Sequence, residues 1–121
     1  ESENEGGGGL MTSVIALPSN ALIGRLPSEL QFLNRLQVLY TPYNTKLTGN
    51  LDIGLQNLKY LESLQLHYCG LDGTIPVDIG LLTQLTTLTL GNNQFHGEIP
   101  TSLFKMSNLE MLAMDDNLLV G

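Results

Sequence analysis

The sequence predicts an α/β solenoid, in which coils of short strand, turn and short helical return stack so that the strands make a parallel sheet on one face. Three observations predict it. The string LTQLTTLTLGNNQFHGEIPTSLFKMSN echoes LKYLESLQLHYCGLDGTIPVDIGLLTQ one period of 24 residues earlier. Within each period, apolar residues alternate with others over a short stretch, as in a strand with one buried face. A lone unit of this size has nothing to cover its leucines, so units must stack and pool them into one continuous core.

The strand comes first in each period. Its buried positions read Thr12, Leu36, Leu61, Leu85 and Leu109, then three residues on Ile15, Leu39, Leu64, Leu88 and Leu112, then two further on Leu17, Thr41, Leu66, Leu90 and Met114. The turn follows. Asn20, Asn44, Cys69, Asn93 and Asn117 share one column, and beyond them Leu22, Leu47, Leu71, Phe95 and Leu119 precede Gly24, Gly49, Gly73, Gly97 and Gly121. Leu26-Pro27, Ile75-Pro76 and Ile99-Pro100 come next, with Leu51-Asp52 as the departure. The return carries apolar residues three apart, at Leu30 and Leu33, Leu55 and Leu58, Ile79 and Leu82, Leu103 and Met106. That spacing suits one inward-facing helical or 3₁₀ turn after the proline. Five coils at about 4.8 Å per strand make a slab roughly 20 Å deep.

These residues resemble the leucine-rich repeats of the plant-specific type, LxxLxLxxNxLxGxIP with a period of 24, from Thr12 to Gly121. The resemblance implies a right-handed superhelix with the parallel sheet on its concave face and the helical or 3₁₀ returns on its convex face. It implies that Asn20, Asn44, Cys69, Asn93 and Asn117 form a structural ladder, a buried amide being able to donate to and accept from backbone left unpaired at a bend. A small buried thiol at Cys69 is tolerated there. The glycine with Leu or Ile and Pro resembles the subtype's extra short strand. In the second repeat one residue is inserted between Asn44 and Leu47 and the proline becomes Asp52, so that coil's outer loop should bulge.

The repeats divide as 12–35, 36–60, 61–84, 85–108 and a truncated 109–121. Residues 1–11 are acidic and glycine-rich without apolar periodicity, which predicts a flexible segment. The family's disulfide-bearing cap is missing ahead of the valine-led first repeat, and the motif stops in mid-course at Gly121, so the sequence reads as a fragment of a longer chain.

Composition excludes several functions. With 121 residues and 13.2 kDa the chain is one domain, and 42% hydrophobic residues supply a core. Five Lys+Arg against 12 Asp+Glu give a net charge of -7, which offers no footprint for nucleic acid or an anionic membrane surface. One cysteine makes no internal disulfide and fixes no compartment. No apolar run is long enough to span a membrane, so membrane attachment is expected only through a span outside this segment. No targeting signal and no Asn-x-Ser/Thr sequon is visible, and oligomeric state is not legible.

Catalytic chemistry has no constellation here. The two histidines, His67 and His96, stand at unlike positions in adjacent repeats, with no serine and acid arranged beside them. His67 and Cys69 lack a third ligand, so no metal site is expected. Gly6 to Gly9 lack the following lysine of a phosphate loop and read as a linker. The chain is therefore expected to be no enzyme and to need no cofactor, although a kinase or other enzyme domain elsewhere in a parent chain is compatible with it.

What remains is the concave face, whose outward columns alternate with the buried leucines. They read Val14, Val38, Ser63, Thr87, Met111; then Ala16, Tyr40, Gln65, Thr89, Ala113; then Pro18, Pro42, His67, Gly91, Asp115; then Ser19, Tyr43, Tyr68, Asn92, Asp116. Tyr43 and Tyr68 share a column in adjacent coils with Tyr40, Gln65 and His67 beside them. Tyrosine gives large contact area and an orienting hydroxyl, which predicts a binding patch. Thr89 and Asn92 extend it, and Asp115 and Asp116 give it an acidic end suited to a basic partner. The resemblance implies a protein or peptide recognition module from a receptor-like protein or receptor-like kinase ectodomain, at the cell surface or outside the cell. Alternatives are a secreted inhibitor of a cell-wall-degrading enzyme, or a structural solenoid adsorbing to ice or polysaccharide. Against the latter, Thr86, Thr87 and Thr89 do not recur as threonines in the neighbouring coils.

Overall fold

The computed structural model describes residues 13–120. The expectations for residues 1–11, Thr12 and Gly121 lie outside the described residues. Each coil runs in the expected order. The first holds β1 (Val14–Ala16), β2 (Gly24–Arg25) and the 3₁₀ helix η1 (Ser28–Phe32). The second holds β3 (Val38–Tyr40), β4 (Leu47–Gly49) and η2 (Leu55–Asn57). The third holds β5 (Ser63–Gln65), β6 (Gly70–Thr74) and η3 (Val77–Leu81). The fourth holds β7 (Thr87–Thr89), β8 (Gln94–Glu98) and η4 (Thr101–Lys105), and the last β9 (Met111–Ala113) and β10 (Leu118–Val120).

Two five-stranded sheets result. The first has the order β1-β3-β5-β7-β9, all parallel, with Ile15, Leu39, Leu64, Leu88 and Leu112 in one register column. The second, β10-β8-β6-β4-β2, is the extra sheet announced by the glycine and proline motif. Gly73 and Gly97 sit there with φ of 82° each, a left-handed conformation that a Cβ penalises. The returns are 3₁₀ throughout. Pro27, Pro76 and Pro100 start η1, η3 and η4 from extended conformations, and a proline loses no hydrogen bond at that position.

Packing follows the columns. Leu36, Leu61 and Leu85, then Leu39, Leu64 and Leu88, are fully buried, and Leu58, Ile79, Leu82 and Leu103 close on them from the returns. Each coil lends its neighbours the apolar surface that it lacks alone, which is why the core is continuous along the solenoid.

The second coil departs from its neighbours as its sequence predicts, at two places. The inserted residue is taken up in a tight turn at Thr45 and Lys46, closed by the Leu47 N–H donating to Asn44 O at 2.9 Å. Without the proline, the chain bends at Asp52, whose N–H is held by Asn50 Oδ1 at 2.9 Å, and η2 shrinks to three residues behind Gly54 at φ 78°. Strands β3 and β4 nonetheless stay paired on both sides.

Candidate functional site

The concave face is the outward side of the first sheet and the corner that follows each of its strands. In register, Tyr40 at the end of β3 lies between Ala16 and Gln65, and Gln65 lies beside Thr89. Gln65 is steadied by its own strand, its Nε2 donating to Ser63 Oγ at 2.9 Å.

At the corner the backbone does something that the alternation pattern does not contain. Ser19, Tyr43, Tyr68, Asn92 and Asp116, one column across five coils, all take positive φ, between 53° and 64°. This left-handed turn ends each strand and swings the chain toward the ladder. Asn and Asp adopt it readily, whereas a bulky residue there is strained by about 1–3 kcal/mol. The Ser, Asn and Asp in the column are the signal that could have revealed the turn. Two tyrosines occupy it regardless.

Their rings stack. Tyr43 and Tyr68 lie with centroids 5.0 Å apart and planes 12° from parallel, half exposed at 50% and 45%. His67 meets Tyr43 edge-on at 5.2 Å and Tyr68 at 6.4 Å. Its Nδ1 shares a hydrogen bond of 2.8 Å with Thr89 Oγ1, and partial burial lowers its pKa from the ordinary 6.5. Thr89 itself is only 7% exposed. The sequence placed it on the open face, but it sits beneath His67 and holds that ring instead of being offered to solvent.

The remaining predicted residues frame this cluster without joining it. Asn92 is half-buried one coil further along, and Asp115 and Asp116 are exposed two coils from Tyr68. A Cβ on Gly91 would fall 2.8 Å from Asp115 Oδ1, so that carboxylate folds back over Gly91 toward the fourth coil. Glu62, Glu110, Asp115 and Asp116 are the charges carried by the strand-and-corner segments 13–19, 37–43, 62–68, 86–92 and 110–116, and none of those segments contains Lys or Arg. The fourth tyrosine, Tyr60, is elsewhere, with the Arg35 guanidinium 5.3 Å above its ring.

Behind the corner runs the ladder. Asn44 Oδ1 accepts from Asn20 N–H and Leu22 N–H at 2.9 and 3.0 Å, while its Nδ2 donates to Leu17 O, Thr41 O and Pro42 O. Asn93 repeats this with Leu71 N–H, Leu66 O, Leu90 O and Gly91 O, and Asn117 with Phe95 N–H, Leu90 O, Met114 O and Asp115 O. Cys69 is buried on its rung and makes one short contact, Sγ to Thr41 O at 3.3 Å. Burial raises its pKa, partly opposed by the Asn44 N–H directed at the sulfur. The thiol suffices because of the insertion one coil earlier. By the spacing of the other rungs, the N–H awaiting an amide oxygen from position 69 is that of Leu47, and the inserted turn has already given that N–H to Asn44 O.

Among the described residues no group of three metal-ligating side chains converges, and no helix is long and apolar enough to cross a membrane. Sheet, corner and ladder together define a repeat scaffold, a stack of coils that presents one extended, contoured surface. Residues 60–82 and 84–106 match the Leucine Rich Repeat family, and the chain is built from leucine-rich repeats of the plant type. It is similar to receptor-like protein Cf-9 of Solanum pimpinellifolium, with 35% identity over 76% of this chain and 11% of that protein. The chain thus spans about a tenth of the length of the curated relatives it matches. Among solved structures it is similar to the ectodomain of the plant membrane receptor kinase GASSHO1/SCHENGEN3 from Arabidopsis thaliana, with a TM-score of 0.84, 34% identity, and coverage of 88% of this chain and 13% of that one. It is also similar to the plant peptide hormone receptor RGFR1 in complex with RGF2, at 0.78, 34%, 81% and 16% on the same measures. A plant ice-binding protein aligns at 0.83, 33%, 87% and 34%.

Proposed function

We propose that the chain is a recognition module for a protein or peptide, part of a receptor-like ectodomain at the cell surface or outside the cell, and that its ligand lies on the concave face. The contact set is Tyr43, His67 and Tyr68 at the centre, with Tyr40, Gln65, Asn92, Asp115 and Asp116 around them and Thr89 supporting from below. No catalytic role is assigned. The observation that carries the reading is the Tyr43–Tyr68 stack, two half-exposed rings held at left-handed positions where Asn or Asp would be less strained. Strain retained at an exposed aromatic pair points to use of the pair, because folding alone favours its replacement. Similarity to a plant peptide hormone receptor supports the ligand class.

Likeness to an ice-binding protein favours a second reading, adsorption to a lattice. A lattice requires the same outward residue from coil to coil, and no outward column keeps one residue along the stack: Val14 and Val38 give way to Ser63, Thr87 and Met111, and Ala16 to Tyr40, Gln65 and Thr89.

The test is selection of random linear 12-residue peptides on the full chain, followed by mapping with amide chemical shifts. Binders should shift Tyr40, Gln65 and His67 and should lose roughly 30-fold in affinity on Tyr43→Asn or Tyr68→Asn, the loss typical of a central tyrosine. Both variants relieve the backbone, so they should unfold at the same or higher urea concentration. Peptides that shift only the 3₁₀ side, or that ignore both substitutions, would overturn the assignment.

A further inference from the structure

Resting on that reading of the concave face, we infer that the occupant of the Tyr43–Tyr68 site is an arginine side chain of a basic segment, seated between the outer face of the Tyr68 ring and the carboxylates of Asp115 and Asp116. The direction comes from the stack. Tyr43 and Tyr68 belong to neighbouring coils and lie nearly parallel at 5.0 Å, about one strand spacing, so the rings pile along the solenoid axis. One face of Tyr68 is turned to Tyr43, and the other looks toward the fourth coil.

That coil is low. Its two corner residues are Gly91, which has no side chain, and Asn92, which is short and half-buried. Beyond it stands the fifth coil with Asp116 in the same column as Tyr68, and with the Asp115 carboxylate folded back over Gly91. Gly91 and Asn92 thus leave a low slot between the outer face of Tyr68 and the Asp116 corner, with the Asp115 carboxylate reaching into it over Gly91.

Its width selects the occupant. From the third coil to the fifth is two strand spacings, about 9.6 Å. A cation sits within about 6 Å of the ring centroid it is attracted to, and an ion pair closes at about 4 Å or less. The two distances together match the span from Tyr68 to the Asp116 corner with one charged group between, and the Asp115 carboxylate over Gly91 comes nearer to that group. A planar guanidinium suits it better than an ammonium, since it can lie flat on the ring while its edge donates to a carboxylate. The surrounding face carries four carboxylates and no Lys or Arg, so nothing in it competes for the slot or repels a cation.

The test uses the full chain and synthetic 12-residue peptides chosen from the selected pool. Arginine should be enriched in that pool, and Arg→citrulline in a binder, which keeps the planar shape and removes the charge, should weaken it at least tenfold. Asp115→Asn with Asp116→Asn should weaken the arginine peptide by a similar factor and leave the citrulline peptide unchanged. Gly91→Ala should weaken the arginine peptide about threefold, its new Cβ displacing the Asp115 carboxylate. Asp115 and Asp116 are exposed and Gly91 is buried beneath the Asp115 carboxylate, and unchanged urea midpoints would show that the fold is intact. Binders that need Tyr68 but show neither arginine enrichment nor any response to the aspartate pair would overturn this inference and leave the concave-face reading standing. Binders that map to the 3₁₀ side would overturn both.

Discussion

Two rungs of the ladder should respond very differently to the same truncation. In Asn93→Ala, four hydrogen bonds disappear, but their acceptors and donors do not fare alike. Gly91 O keeps the Tyr68 N–H at 3.0 Å, and Leu90 O keeps Asn117 Nδ2 at 2.9 Å. The Leu71 N–H and Leu66 O lose the amide that satisfied them, in a buried setting. At about 1–3 kcal/mol per orphaned buried group, with a small cavity added, the loss comes to about 3–5 kcal/mol. In Cys69→Ala only the Asn44 N–H loses a partner, the weakly accepting sulfur. Thr41 O keeps Asn44 Nδ2 at 3.0 Å, and the Leu47 N–H already belongs to Asn44 O. The packing of the sulfur and that weak N–H contact are lost, about 1–2 kcal/mol. Equilibrium urea unfolding followed by far-ultraviolet circular dichroism measures both against the unsubstituted chain, with equal slopes required before the midpoints are compared. Equal losses at the two rungs, or a larger loss at Cys69, would refute the idea that the inserted turn relieves its rung.

Other predictions need less argument. The Thr41 hydroxyl is buried without a hydrogen-bond partner, at 2% exposure, so Thr41→Val should raise stability by about 1 kcal/mol in the same urea assay. Gly97→Ala should cost about 1–2 kcal/mol, combining a left-handed φ of 82° with a Cβ 3.1 Å from Thr74 Cγ2. Cys69 should stay unreactive toward an aromatic disulfide reagent at pH 8 until denaturant is added, because burial both shields the thiol and raises its pKa. His67 should titrate below 6.5 by proton NMR. Since the unfolded chain then takes up its proton first, the His67 contribution is whole above about pH 6.5 and is lost as pH falls through the folded value, and His67→Gln should remove that slope.

Much of the fold was legible because its determinants repeat. A column of five side chains at one spacing reports strand, turn or return more reliably than any single residue, and the first sheet, the short returns and the irregular second coil were readable in that way, while the second sheet was expected from the family resemblance and the choice of 3₁₀ over α in the returns was left to the structure. The tyrosine pair was legible for the same reason, as two residues in one column. Three features were not. The left-handed corner is a property of the backbone, and Tyr43 and Tyr68 disguise a column whose other members are ordinary turn formers. Thr89 sits on the correct side of its strand, but whether it meets solvent depends on the rotamer of His67 in the preceding coil. The fitness of Cys69 for its rung rests on a hydrogen bond made 22 residues earlier, which appears only once the chain has closed.

The turn at Thr45 and Lys46 has a wider consequence. A residue has been added to one coil, yet Tyr43 ahead of it and Leu47 behind it both remain in step with their neighbours. The corner between the two strands of a coil works as a checkpoint where the count of residues is reset, so a length error does not propagate down the stack. Such a scaffold tolerates insertions along this edge independently of the face that meets a ligand. Loops of new length or composition grafted at Thr45 should leave the geometry of the tyrosine stack untouched, so that surface chemistry and chain length can vary as separate traits.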